Sequence, residues 1–139
     1  MTREMRLQLF ENELRRLLQS DVEHDYVIFR DVQDPDHYVQ YMRHDRVIYG
    51  EVGSFTRISG KRQPHPRAER ALGCLGFTGA GPRRSYSRDH LPQDSRKLAC
   101  LTELLFGAAH GETEDLSVIG MTRPSMEAER QPLRMELEA

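Results

Sequence analysis

Histidine, cysteine and glycine-rich segments are the parts of this 139-residue chain whose residue types could do chemistry. The six histidines do not form an H-x-x-x-H or H-E-x-x-H pattern, the spacing that brings two imidazoles to one face of a helix for a metal ion. Most of them fall in predicted turns, where a solvated histidine is ordinary. We therefore expect no metal site and no cofactor. These histidines are His24, His37, His44, His65, His90 and His110.

The two cysteines lie in apolar helical segments. Cys100 follows Arg96 and Lys97 by about one helical turn, and an electropositive, partly exposed setting is what activates a thiol. Its apolar neighbours instead favour a buried, reduced thiol, and the same holds for Cys74. Two cysteines do not make the disulfide framework of a secreted protein.

Two further catalytic patterns are incomplete. The segment "GFTGAG" (76–81) has the glycines of a phosphate-binding loop but lacks the Lys-Ser/Thr that should follow them. No serine occupies a G-x-S-x-G nucleophile elbow. We expect that the protein is not an enzyme.

Charge is unevenly distributed along the chain. Residues 55–100 hold ten Arg or Lys against three acidic residues, whereas both ends are acidic and the whole chain carries a net charge of -2. The basic stretch 57–97 could bind nucleic acid or an acidic partner. Alternatively, the segments neutralise one another within a chain or across a dimer, which the scarcity of aromatic residues among the basic ones favours.

Hydrophobic spacing predicts the elements that would position these residues. In the first half of the chain the spacing predicts a helix over 3–22 with Thr2 as N-cap, a strand over 26–32, a turn over 33–36 and a hairpin over 37–52. In the second half it predicts a loop over 53–66, a helix from Pro66 to a stop at Gly76, an irregular link over 77–92 and a helix over 93–106 with Gly107 beyond its end. The remaining residues are predicted to be a tail. Leu98, Leu101, Leu104, Leu105 and Phe106 form the apolar set of the last helix.

The hairpin "HYVQYMRHDRVIYGEV" (37–52) has two different faces. With a turn at His44 and Asp45, Met42 would face Val47, and alternation would separate the side chains onto two sides. One face holds Val39, Tyr41, Ile48 and Val52. The other holds Tyr38, Gln40, Met42, Val47, Tyr49 and Glu51.

These elements predict an α+β fold, an antiparallel β-meander packed with helices in the order α-β-β-β-α-(short β or loop)-α. We expect one domain over residues 1–111 and an acidic, weakly packed C-terminal tail over 112–139. The chain has no apolar run long enough to span a bilayer, and its start lacks the features of a signal peptide. A cytoplasmic location is expected.

Four segments resemble a known family: "YVIF", "YVQYMRHDRVIYGEV", "AERALGCLGF" and "LACLTELLFG". They look like the YbjN-like and type III secretion chaperone-like (TY-Chap) proteins, particularly the actinobacterial type. The match lies at 38–41, 50–52, 72–77 and 98–107, with Phe77 where the family has Trp and Gly50 where it often has Ala. The resemblance implies a small, often dimeric, protein-binding fold without catalysis.

The second hairpin face suits such binding. Tyrosine offers a large apolar body with a polar tip, methionine adapts to varied shapes, and Gln40 can hydrogen-bond a peptide backbone. We expect a chaperone-like or adaptor module that forms a homodimer and binds a segment of a partner protein with this face. Alternatively, helices cover this face, or both faces, within one subunit. A nucleic-acid-associated protein is the other hypothesis that stays open.

Overall fold

The computed structural model describes residues 1–34, 37–53, 55–58, 61–64, 66–79, 85–110 and 116–120. Its elements are, in chain order, α1 (Arg3–Gln19), β1 (Tyr26–Asp31), β2 (Tyr38–His44), β3 (Val47–Gly53), β4 (Phe55–Ile58), β5 (Lys61–Pro64), α2 (Pro66–Cys74), β6 (Tyr86–Arg88), α3 (Ser95–His110) and β7 (Leu116–Gly120). Five strands form one antiparallel sheet in the order β6-β3-β2-β1-β7, while β4 and β5 form a separate pair. The predicted α+β class is confirmed.

Helix α1 begins where the sequence predicts. The Met5 backbone N–H donates to Thr2 Oγ1 at 3.2 Å, so Thr2 is the N-cap. Phe10, Leu14 and Leu17 lie on one side of the helix and are fully buried. The helix ends at Gln19 rather than at residue 22, because the polar segment that follows interrupts the apolar spacing.

The β2–β3 hairpin forms as predicted, but its turn lies one residue later. Asp45 and Arg46 both have positive φ angles, 48° and 66°, as a two-residue type I′ turn requires. His44 consequently pairs with Val47. The predicted turn at His44 and Asp45 was wrong because nothing about an arginine signals a left-handed conformation. The pairing moved by two residues, an even number, so the residues on each face stay the same.

The segment predicted as a loop over 53–66 contains two strands. Strand β4 pairs with β5 in an antiparallel arrangement, with Thr56 opposite Gln63. Thr and Ile favour extended backbone, and a Ser-Gly dipeptide separates the two strands in the sequence. The loop prediction gave too much weight to the Gly, Ser and Pro residues at its margins.

Two further strands extend the sheet beyond the predicted meander: the first is the short strand that the predicted order left open between the last two helices, and the second was not predicted. In the predicted irregular link, β6 pairs with β3, with Tyr86 opposite Val52. In the predicted weakly packed tail, β7 pairs with β1, with Val118 opposite Phe29. The sheet therefore continues past the expected domain boundary at residue 111. Residues 80–84, 111–115 and 121–139 lie outside the described part, as do residues 35 and 36 of the predicted turn.

The boundaries of α2 and α3 agree only in part with the prediction. Helix α2 starts at Pro66, and Gly76 follows its end with a φ of +82°, the left-handed conformation expected of a stop. Helix α3 does not stop before Gly107 but continues to His110. A glycine lowers helix stability without terminating a helix on its own.

The core lies between one face of the sheet and the three helices. The helices contribute Phe10, Leu14, Leu17, Leu72, Leu98, Ala99, Leu105 and Phe106, and the sheet contributes Val27, Phe29, Val39, Tyr41, Ile48, Val52 and Tyr86. Phe10 joins the two layers, since its ring packs edge-on against Phe29 at 4.8 Å and parallel to Phe106 at 6.0 Å. Such aromatic pairs strengthen the packing beyond their buried area.

Both cysteines are exposed, so the prediction of buried thiols was wrong. Cys74 follows the buried Leu72 by two residues, and Cys100 follows the buried Leu98 by two. Two residues turn a helix by about 200°, which carries each thiol to the side opposite the core. Leu104, predicted in the apolar set, is also exposed.

Candidate functional site: the outer face of the sheet

The outer face is the side of the β2–β3 ribbon opposite the core. It carries all six residues that the sequence predicts as a binding surface: Tyr38, Gln40, Met42, Val47, Tyr49 and Glu51. Every one of them is partly exposed. The core side of the same ribbon is different in kind, because Val39, Tyr41, Ile48 and Val52 are at most 1% exposed.

Strand register determines which of the six are neighbours. Met42 pairs with Tyr49, and Gln40 pairs with Glu51. Directly opposed residues on one face of an antiparallel pair are close enough for their side chains to interact. The ribbon therefore presents a methionine and a tyrosine side by side, next to an amide and a carboxylate.

Strand β1 extends the outer face and was not part of the predicted surface. Tyr26 pairs with Met42, and Ile28 pairs with Gln40. Both β1 side chains are at least 98% buried, yet neither belongs to the core shared with the helices. The outer face thus has a buried apolar strand beside the partly exposed ribbon. The signal that would have found it is the same alternation of side chains, applied to "YVIF".

Glu51 and Tyr49 are the polar groups of the outer face whose surroundings are best defined. Ser85 Oγ donates a hydrogen bond to Glu51 Oε1. Burial raises the pKa of the Tyr49 phenol, and the Glu51 carboxylate raises it further. Tyr49 is therefore a neutral hydroxyl at physiological pH. It offers a partner both a hydrogen-bonding group and an apolar ring.

The basic residues of the alternative hypothesis whose side chains the structure describes lie on α2, β6 and α3. Arg70 and Lys97 are exposed on α2 and α3. Arg96 contacts Glu11 at 3.1 Å, while Arg88 donates to the Leu75 carbonyl at 3.2 Å. Arg67 is also exposed, whereas the side chains of Arg57, Lys61, Arg62, Arg83 and Arg84 lie outside the described part.

Among the described helices, none is both long and apolar enough to cross a lipid bilayer. Comparisons of the chain with protein-family models, with curated proteins and with solved structures found no match.

Proposed function

We propose that this protein is a non-catalytic binding module, of the chaperone-like or adaptor kind, whose outer face binds a segment of a partner protein. The observation that carries the proposal is the contrast between the two sides of the β2–β3 ribbon. One side is sealed against three helices, and the other keeps six partly exposed side chains in a single array. The resemblance to the YbjN-like and type III secretion chaperone-like family supports the same function. A cytoplasmic homodimer is part of the proposal.

The chemistry of the array indicates what kind of segment it binds. Met42 and Tyr49 supply adjacent apolar surface, and a flexible methionine can adjust to different side chains. Gln40 can donate to and accept from a peptide backbone. The occupant is therefore an apolar protein segment that aligns at least one backbone amide with Gln40.

The test begins by identifying the partner. Crosslinking in the native host, followed by mass spectrometry, yields candidate segments whose affinities are then measured with purified components. We expect Tyr49→Ala and Met42→Asp each to weaken binding by at least ~10-fold, because truncating a central aromatic or placing a charge in an apolar contact costs about 1.4 kcal/mol or more. Partly exposed positions should leave the fold intact.

Leu104→Asp is the matched control for Met42→Asp. It also places a carboxylate on an exposed apolar position, but on α3 and not on the sheet. Equal affinities for the wild type, Tyr49→Ala and Met42→Asp would show that the outer face is not the binding surface. Loss of binding only in Leu104→Asp would show that the partner binds to the helical side of the protein.

The nucleic-acid hypothesis is separable by experiment. Binding through the exposed Arg70 and Lys97 would fall steeply with salt, because neutralised phosphates release counterions. A gel-shift assay at low salt with Arg70→Ala and Lys97→Ala distinguishes the two functions. Retention of nucleic acid that both substitutions weaken would favour the basic segment over the outer face.

A further inference from the structure

Three polar side chains from distant parts of the sequence meet at one end of the outer face. Glu23 and His24 lie in the turn between α1 and β1, and His44 is the last residue of β2. The two histidines are 20 residues apart in the chain, so no sequence spacing predicted their meeting. Their convergence is a consequence of the pairing between β1 and β2.

The backbone holds the three residues in place. The His24 N–H donates to the Arg43 carbonyl at 3.0 Å, and the Arg43 N–H donates to the Asp25 carbonyl at 2.8 Å. These bonds continue the strand pairing beyond β1 and set His24 beside the end of β2. The Asp45 N–H donates to Glu23 Oε1 at 2.8 Å, which orients the carboxylate.

The potential ligand atoms are close together. His24 Nε2 and His44 Nδ1 are 3.2 Å apart, and Glu23 Oε1 lies 3.7 Å from each of them. Ligand atoms that surround a tetrahedral Zn²⁺ at about 2.0–2.2 Å stand about 3.3–3.6 Å from one another. The three atoms are therefore spaced nearly as three corners of such a coordination sphere are.

We infer that Glu23, His24 and His44 form a surface site for a divalent transition-metal ion such as Zn²⁺. Two imidazoles and a carboxylate are a ligand set that suits Zn²⁺, Ni²⁺ and Cu²⁺, whereas Mg²⁺ and Ca²⁺ prefer oxygen ligands alone. In the absence of a metal ion, the two ring nitrogens can share one proton in a hydrogen bond. When a metal ion binds between the two rings, that proton moves to the other nitrogen of its own ring, so that both facing nitrogens present a lone pair and a fourth coordination position stays open to water.

The side chains are accessible to an ion from solution. About half of each is exposed, with values of 57% for Glu23, 47% for His24 and 59% for His44. Substituting them should therefore not disturb the core. His24 has a φ of 63°, so His24→Asn is the suitable replacement, because asparagine tolerates the left-handed conformation and lacks an imidazole.

Calorimetric titration of Zn²⁺ into the full chain, purified without a polyhistidine tag, tests the site. We expect one equivalent of Zn²⁺ to bind the wild type and at least ~10-fold weaker binding in His44→Ala and His24→Asn, since each removes one ligand. His90→Asn is the matched control. His90 is also exposed, also has a positive φ and also contacts an acidic neighbour, Asp89 at 3.6 Å.

NMR of the imidazole nitrogens gives a second readout that does not depend on the variants. Zn²⁺ should shift the resonances of His24 Nε2 and His44 Nδ1 and leave those of His90 unchanged. The inference fails if the wild type does not bind Zn²⁺, if His44→Ala and His24→Asn bind it as well as His90→Asn does, or if the shifts appear at other histidines.

Discussion

Leu91 packs so closely against Gly50 of β3 that a side chain at position 50 would have no room. A Cβ atom on Gly50 would lie 2.6 Å from Leu91 Cδ1 and 3.2 Å from two ring carbons of Phe77. The Leu91 backbone is itself tied to β3, because its N–H donates to the Ile48 carbonyl at 3.0 Å. Gly50 is therefore required for close packing, and its backbone needs no positive φ.

Gly50→Ala is accordingly expected to lower the free energy of unfolding by about 1–3 kcal/mol, the usual cost of overpacking a core. Leu91→Ala removes the atom that the new methyl group would contact. The double variant should therefore lose less stability than the sum of the losses in the two single variants. Urea denaturation of the four proteins in this cycle measures the coupling. Strict additivity would contradict the contact.

Gly107 offers the opposite case within the same chain. It lies inside α3, and a Cβ atom there would contact nothing within 4 Å. Gly107→Ala should raise the free energy of unfolding by roughly 0.5–1 kcal/mol, because alanine favours helix and glycine does not. Thermal denaturation followed by circular dichroism checks this. A destabilised variant would show that α3 ends before this residue.

Tyr41 and Thr102 link the sheet to α3 through a buried hydrogen bond. Their hydroxyl oxygens are 2.7 Å apart, and the Thr102 hydroxyl also donates to the Leu98 carbonyl at 2.6 Å. Thr102 has only one hydroxyl hydrogen, so Tyr41 must be the donor between them. Thr102→Val should cost about 1–3 kcal/mol by leaving the Tyr41 hydroxyl without this acceptor, and Thr102→Ser should retain most of the stability. Chemical denaturation compares the two, and equal losses would contradict the assignment.

Alkaline pH should act on the same tyrosine. Burial raises the pKa of Tyr41 well above its usual value of about 10. The unfolded chain therefore loses this proton first, so the associated stability is present below about pH 10 and declines as the pH rises further, by up to about 1.4 kcal/mol per pH unit. Tyr41→Phe should decline less steeply than the wild type between about pH 9 and pH 11. Parallel curves would exclude a contribution from Tyr41.

A partly buried ion pair joins α1 to α3. Arg6 donates from Nη2 to Glu103 Oε1 at 2.5 Å and from Nε to Glu103 Oε2 at 3.0 Å, in a two-pronged arrangement. Glu103→Gln should lower the free energy of unfolding by roughly 1–3 kcal/mol. Arg15→Ala, which removes the more exposed pair with Glu11 on α1, should change it by about 0.5 kcal/mol or less. Similar losses in both variants would show that the Arg6–Glu103 pair contributes no more to the free energy of unfolding than an exposed ion pair does.

Elements with strong local patterns could be predicted from the sequence. Helix α1 and strands β2 and β3 follow apolar spacings typical of one type of backbone, and β1 is marked by its β-branched and aromatic residues. The faces of the β2–β3 ribbon were also predictable, even though the turn was displaced, because side chains alternate along any strand. Thus Met42 and Tyr49 could be assigned to one surface before their pairing was known.

Short strands and surface positions could not be predicted in the same way. Strand β6 has three residues and β7 has five, and each is stabilised by pairing with a strand far away in the sequence. The orientation of Cys74 and Cys100 depends on which side of each helix meets the sheet. An apolar neighbourhood along the chain does not specify that side.

The sequence by itself determined the α+β class and the composition of each ribbon face, since both depend on local backbone geometry and on the period of apolar residues. Tertiary structure alone decided that His24 meets His44, that Tyr26 lies beside Met42, and that Gly50 packs against Leu91. Each of these contacts joins residues from separate elements. Their distances follow from strand register and layer packing, which no local segment of the chain encodes.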